Sequence, residues 1–287
     1  MNDYTNNPAD NFNQDRFHVE TAEETAARIS RRQLKNMAVD LQGRDQAILQ
    51  ALQNSRYMTS GQISRQHFET EHANPSAAQR AANRAMNRLQ DYGLIASLDR
   101  RVGGVKGGSA GFVWGLTPPG SRFVNLGADD QPRKRSYDPS PRFVEHTIGV
   151  SELNVQLIGM AGIAVMDIQF EPNCWRSYRG NTLKPDLYAV TSDGEYEDSW
   201  FFELDLATEA PSRIVAKCEQ YQDYYRSRIE QSDYGVFPKV VWIIPTAKRR
   251  DSLQGHIRQS AALTDTGIFV FILPDELEAL IRKGAGI

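Results

Sequence analysis

The spacing of apolar side chains changes character along the chain, and each change marks a segment. Between residues 21 and 41 the large apolar residues are few: Ile29, Leu34, Met37, Val39 and Leu41. They predict a mostly solvated helix behind a polar tail, together an arm over 1–43. From Arg44 the pattern tightens. Asp45 is placed to cap a helix carrying Ile48, Leu49 and Leu52, and Thr59 or Ser60 a short one carrying Ile63 and His67-Phe68. Asn74-Pro75 opens a third, with Asn at the cap and Pro at the first helical position. There Ala78, Ala82, Ala85, Leu89 and Tyr92 recur at spacings of three and four until Gly93 ends the helix. Residues 94–98 and 112–116 read as the strands of a hairpin around a glycine-rich tip, 103–108. A Pro-rich, charged stretch without periodicity follows, so 127–145 is expected to be a linker and 44–126 a domain.

From His146 helical and strand periods alternate: a helix to Met160, strands at 163–171, 183–190 and 200–206, and a helix at 211–229. A strand at 239–244, a helix at 252–263, a strand at 268–273 and a helix at 275–281 complete it. A second domain at 146–287 is therefore α/β, and the whole chain α+β.

Charge divides along the same line. Residues 44–126 hold ten Lys and Arg against five Asp and Glu, whereas 146–287 hold fourteen against twenty, although the net charge of the chain is only -3. That asymmetry suggests a nucleic-acid contact confined to the first domain. The outer face of its third helix carries Arg80, Asn83, Arg84, Asn87 and Arg88 in two adjacent rows. Three helices and a hairpin in this order resemble a winged helix-turn-helix. Arg matches guanine edges and Asn adenine, so such a face suits a major groove of double-stranded DNA, with Arg100, Arg101 and Lys106 on the wing. Some winged helices bind protein instead, which keeps an adaptor or transcriptional regulator as an alternative. The basic triplet 133–135 in the linker is a further phosphate contact or simply solvated. The glycine tip lacks the order of a nucleotide-binding loop.

Composition narrows the classes. With 40% apolar and 24% charged residues the chain is globular, and its longest apolar runs fall far short of the ~20 residues of a membrane-spanning helix. The first fourteen residues have neither a basic start nor an apolar stretch, so no secretory signal is expected and the cytoplasm is the expected location. Cys174 and Cys218 lack zinc or disulfide spacing. Five dispersed histidines, at 18, 67, 72, 146 and 256, argue against a tyrosine relaxase with a histidine-bound metal.

The sharpest chemical pattern lies in the second domain. A hairpin brings Asp186 near Glu203, and strand alternation sends Glu203 and Asp205 to one face, Phe202 and Leu204 to the other. Three carboxylates on one face are costly unless a cation or water neutralises them, and oxygen ligands suit Mg²⁺ or Mn²⁺, with Glu152 as a fourth oxygen. On the next helix Lys217 can reach back toward the carboxylates, and Gln220 can meet a phosphate. Pro185-Asp186 followed by Glu203-Leu204-Asp205, in an α-β-β-β-α-β order, resembles the PD-(D/E)xK nuclease superfamily. That resemblance implies metal binding by Asp186 and Glu203. Asp205 stands where the superfamily has Lys, a role Lys217 would have to take over. From Arg44 onward the chain is similar to the replication-relaxation family of plasmids and conjugative elements. The features that carry this are Pro118-Pro119-Gly120, His146, Pro185-Asp186, and Phe202-Glu203-Leu204-Asp205 through Thr208-Glu209 to Lys217 and Tyr221.

The expected function is a DNA-binding accessory to replication, relaxation or transfer of plasmid or mobile-element DNA, with a catalytically silent nuclease-like domain, Mg²⁺ or Mn²⁺ being implied only if that domain is active. The alternative is a Mg²⁺- or Mn²⁺-dependent endonuclease using Asp186, Glu203, Asp205 and Lys217. Expected partners are duplex DNA and relaxosome or replication proteins; the arm offers a contact for a homodimer.

Overall fold

The computed structural model describes residues 29–102, 111–127 and 139–286, with residues 99–102 described as backbone only. Lys106, the triplet 133–135 and the first part of the arm lie outside the described residues, and Arg100 and Arg101 are described only as strand backbone. The chain is of α+β class and divides into two compact units, Met1–Pro139 and Ser140–Ile287.

The first unit begins with α1 (Arg31–Asp40), α2 (Gly43–Ser55), β1 (Tyr57–Thr59) and α3 (Ser60–His67). It continues with α4 (Pro75–Asp91), β2 (Ile95–Val102), β3 (Gly111–Leu116) and α5 (Pro118–Val124). Local cap chemistry sets several of these starts. Thr59 accepts from the Gln62 amide (3.2 Å) and Asn74 from the Ala77 amide (2.9 Å), with Pro75 at the first helical position. Asp45 is a correction: α2 starts earlier, capped at Gln42, and Asp45 lies at the third position, accepting from the Gln42 amide (3.2 Å). The apolar stripe of α4 is buried as the spacing demands, through Ala78, Ala82, Ala85 and Leu89, joined by Ala81 and Met86. Ile48, Leu49 and Ile63 are fully buried as well, each contributing about 2 kcal/mol.

The hairpin gains a strand that the pattern did not predict. Tyr57–Thr59 pairs antiparallel with β3, giving a three-stranded sheet in the order β1-β3-β2. Helix α5, also unforeseen, is capped by Thr117 and packs so closely that a Cβ on Gly120 would lie 1.9 Å from the Leu94 carbonyl oxygen.

The second unit opens with α6 (Pro141–Gly159), β4 (Ala164–Phe170), β5 (Arg176–Tyr178), β6 (Asn181–Leu183), β7 (Leu187–Ser192) and β8 (Glu197–Leu204). Then come α7 (Pro211–Ser227), α8 (Ile229–Tyr234), β9 (Lys239–Ile243), α9 (Ala247–Gln259), β10 (Phe269–Ile272) and α10 (Leu277–Lys283). Five strands form one sheet in the order β10-β9-β8-β7-β4, with β8, β9 and β10 parallel and β7 antiparallel to both its neighbours. Alternation on the strands feeds two cores. Phe202 and Val241 join Leu153 and Leu157 of α6 and Leu277 of α10; Phe201 and Val240 join Ile214 and Cys218 of α7 and Leu253 of α9.

Three departures from the expected elements have local causes. The β5-β6 hairpin turns at Gly180, whose φ of +82° favours glycine, and Arg176 within it forms a buried ion pair with Glu230 (3.1 Å). Helix α6 begins at Pro141 behind the Ser140 cap, which places His146 inside the helix rather than at its start. Helix α9 begins at Ala247 because Thr246 caps it, so the basic run 248–250 is helical.

Candidate functional site

Two places carry the residues with chemical potential, one in each unit. In the first, packing of the alanine and leucine stripe turns the opposite side of α4 outward. Arg80, Asn83, Arg84 and Asn87 are all exposed there, and neither Arg80 nor Arg84 makes an ion pair with another described residue. Asn83 accepts a hydrogen bond from Gln79 (2.9 Å), its neighbour one turn back. Arg88 is a correction to the expected row. Its Nη2 and Nε reach Asp45 on α2 at 2.6 and 3.3 Å, and the Asp45 side chain is only 2% exposed. A buried carboxylate needs that guanidinium, so Arg88 holds α4 to α2 while its side chain stays 42% exposed.

In the second unit the sheet sets the geometry. Leu187 pairs with Phe202, so Asp186, just ahead of β7, falls opposite Glu203 of β8. Asp186 Oδ2 accepts from the Leu204 amide (2.8 Å), while Oδ1 faces His146 Nε2 of α6 (3.3 Å) and Lys217 Nζ of α7 (4.0 Å). Glu203, on the α7 side of the sheet, accepts from Lys217 through Oε2 and from the Tyr221 hydroxyl through Oε1. Lys217 and Tyr221 are one helical turn apart, which is why both arrive at the same carboxylate.

Burial and charge then set the protonation of the cluster. Burial pushes the Glu203 carboxyl up to about 8, the Asp186 carboxylate adding to the effect and Lys217 opposing it. Burial also acts against charge on Lys217, yet Glu203 and Asp186 outweigh it and hold the ammonium above its ordinary value. For Asp186 burial is overcome by Lys217, His146 and the Leu204 amide, and its pKa falls. His146 is likewise raised, burial being outweighed by Asp186. One firm cation and one firm anion, with a second acid inclined to stay protonated, is the arrangement that buried electrostatics favours.

The other expected ligands lie elsewhere. Asp205 shares the face of Glu203, but its carboxylate is gripped by Arg249 of α9 (Nε to Oδ2, 2.8 Å; Nη2 to Oδ1, 3.3 Å) and by the Ala207 amide (2.9 Å). Glu152, further along α6, accepts from Gln156 (3.3 Å), and the Gln220 side chain is exposed. The expected convergence of three carboxylates is therefore replaced by a pair closed with lysine. Among the described residues no three His, Cys, Asp or Glu side chains are grouped to hold a metal. Every oxygen of Asp186, Glu203 and Asp205 faces a protein donor.

His146, Tyr221 and Arg249 are the participants that residue reasoning left unassigned. Tyr221 was within reach of the helical period from Lys217. The basic run 248–250 gave a weak signal for Arg249. His146 stands among the features of the family resemblance, but nothing in its spacing assigns it a role beside Asp186.

The replication-relaxation family model matches residues 49–240, about two thirds of the chain, reaching from α2 of the first unit to β9 of the second. No curated protein and no solved structure matches. Among the described residues no helix is long and apolar enough to cross a membrane.

Proposed function

The chain belongs to the replication-relaxation family, which suggests a role in replication or relaxation, and from that premise we propose that it is a DNA-binding accessory factor. The first unit follows the element order and β1-β3-β2 sheet of a winged helix-turn-helix, with α4 as the recognition helix. The observation that carries this reading is the outward row of Arg80, Asn83, Arg84 and Asn87 on a helix whose opposite face is core. Guanidinium and carboxamide groups on one ridge supply both phosphate contacts and base-edge hydrogen bonds. The second unit serves as a nuclease-like scaffold without cleavage activity, because Asp205 stands where the superfamily has Lys and its carboxylate is held by Arg249.

Fluorescence anisotropy with a labelled mixed-sequence duplex, titrated over a range of salt, tests the binding. The intact chain should bind, and Arg80→Ala with Arg84→Ala should flatten the dependence of log K on log salt by about 0.9 per lost phosphate contact. No binding, or an unchanged slope, refutes the assignment of α4. Incubation with supercoiled plasmid and Mg²⁺ tests the silent second unit: nicking that disappears in Asp186→Ala and Glu203→Ala overturns it.

A further inference from the structure

We propose that the second unit pairs with a second copy of this chain along the outer edge of β10. The two edges of its sheet differ. On β4 the ladder slips between Val165 and Asp167, and Asp167 is exposed, which are the usual devices that keep an edge from pairing. On β10 the residues are Phe269-Val270-Phe271-Ile272, regular in register with β9 and free of charge, proline and glycine. Such an edge is a template for another strand.

The surroundings of β10 say which strand. At its start lies a groove of about 370 Å³, lined among others by Tyr225, Arg228, Val236, Phe237, Lys239 and Ile268. Val236 is 53% exposed there, and the Arg228 guanidinium stacks over the Tyr225 ring at 5.2 Å without an ion pair among the described residues. At its far end β10 runs into Leu273, Pro274 and the exposed Asp275, which also makes no ion pair among the described residues. Antiparallel pairing about a twofold axis sets Phe269 opposite Ile272 of the second copy, and so Ile268 opposite its Leu273. The half-buried Leu273 then meets the apolar residues of the groove, and Asp275 comes to the side of Arg228. Symmetry makes both contacts twice. A groove that carries Arg228 beside Val236 and Phe237 at one end of the strand and an acidic turn at the other are complementary to each other, so the occupant is this chain itself. The inference does not depend on the DNA reading.

Sedimentation velocity on the full chain from about 1 to 100 μM tests it, with circular dichroism to check that each variant is folded. The intact chain should dimerise. Arg228→Glu and Asp275→Arg should each weaken the dimer by roughly tenfold or more, since two exposed attractions become repulsions. Combining the two substitutions should restore it. A monomer throughout the range, a dimer that neither variant weakens, or a combined variant no tighter than the single ones overturns the proposal.

Discussion

The protonation of Glu203 makes the stability of the second unit depend on pH in a direction opposite to that of an ordinary paired carboxylate. In the fold its carboxyl takes up a proton at about 8, against an ordinary value of 4.5 in the open chain. Between those limits the folded chain binds more protons than the unfolded one. Stability from this group is therefore present below the lower value and is lost as pH rises toward the upper one, by up to about 1.4 kcal/mol per pH unit. His146, also raised, adds to the loss in the same direction. Glu203→Gln removes the titration while keeping size and an acceptor oxygen. Urea unfolding followed by the fluorescence of the buried Trp200 and Trp242, at pH 5.5, 6.5 and 7.5, reads both slopes. The original chain should lose stability steadily over that range, and the variant should follow a clearly flatter line whatever its absolute stability. Parallel lines would mean that Glu203 is ionised throughout, and the argument from its burial would fail.

Arg88→Ala should cost about 2 kcal/mol of stability by stranding the Asp45 carboxylate, a cost that Asp45→Asn in the same chain should largely relieve; urea unfolding of single and combined variants measures it. Arg249→Ala strips the cation from a carboxylate with no exposed side-chain surface and should cost about 3 kcal/mol, read by urea unfolding at neutral pH. Gly120→Ala forces a methyl into the Leu94 carbonyl, and thermal melting should show a loss of at least about 3 kcal/mol unless α5 detaches.

What was legible in the sequence is what local chemistry decides. Asn74-Pro75 and Thr59 mark their helix starts because a cap is made within three residues, and the stripe of α4 is visible because burial repeats with the helical period. β1 escapes such reasoning: three residues are too few for a pattern, and they are strand only because β3 lies beside them. The face shared by Glu203 and Asp205 follows from alternation alone. The helical period likewise makes it readable that Lys217 reaches back to the carboxylates, where it closes on Glu203; that Arg249 closes on Asp205 depends on the tertiary approach of α9, which no spacing encodes. Arg84 and Arg88 are likewise indistinguishable along the chain; only the approach of Asp45, 43 residues away, separates a free guanidinium from an anchored one.

Strand β8 has a consequence for how the chain reaches its native state. Its successive side chains go alternately to two unlike environments, Phe202 into hydrocarbon and Glu203 toward Lys217 and Tyr221. A slip of one position against β7 would exchange them, driving a carboxyl group into the oily layer and leaving the Lys217 ammonium and the Tyr221 hydroxyl without their acceptor. The polar knot in the middle of the sheet thereby acts as a proofreader of strand alignment, penalising the misthreaded forms that an all-hydrocarbon strand would tolerate.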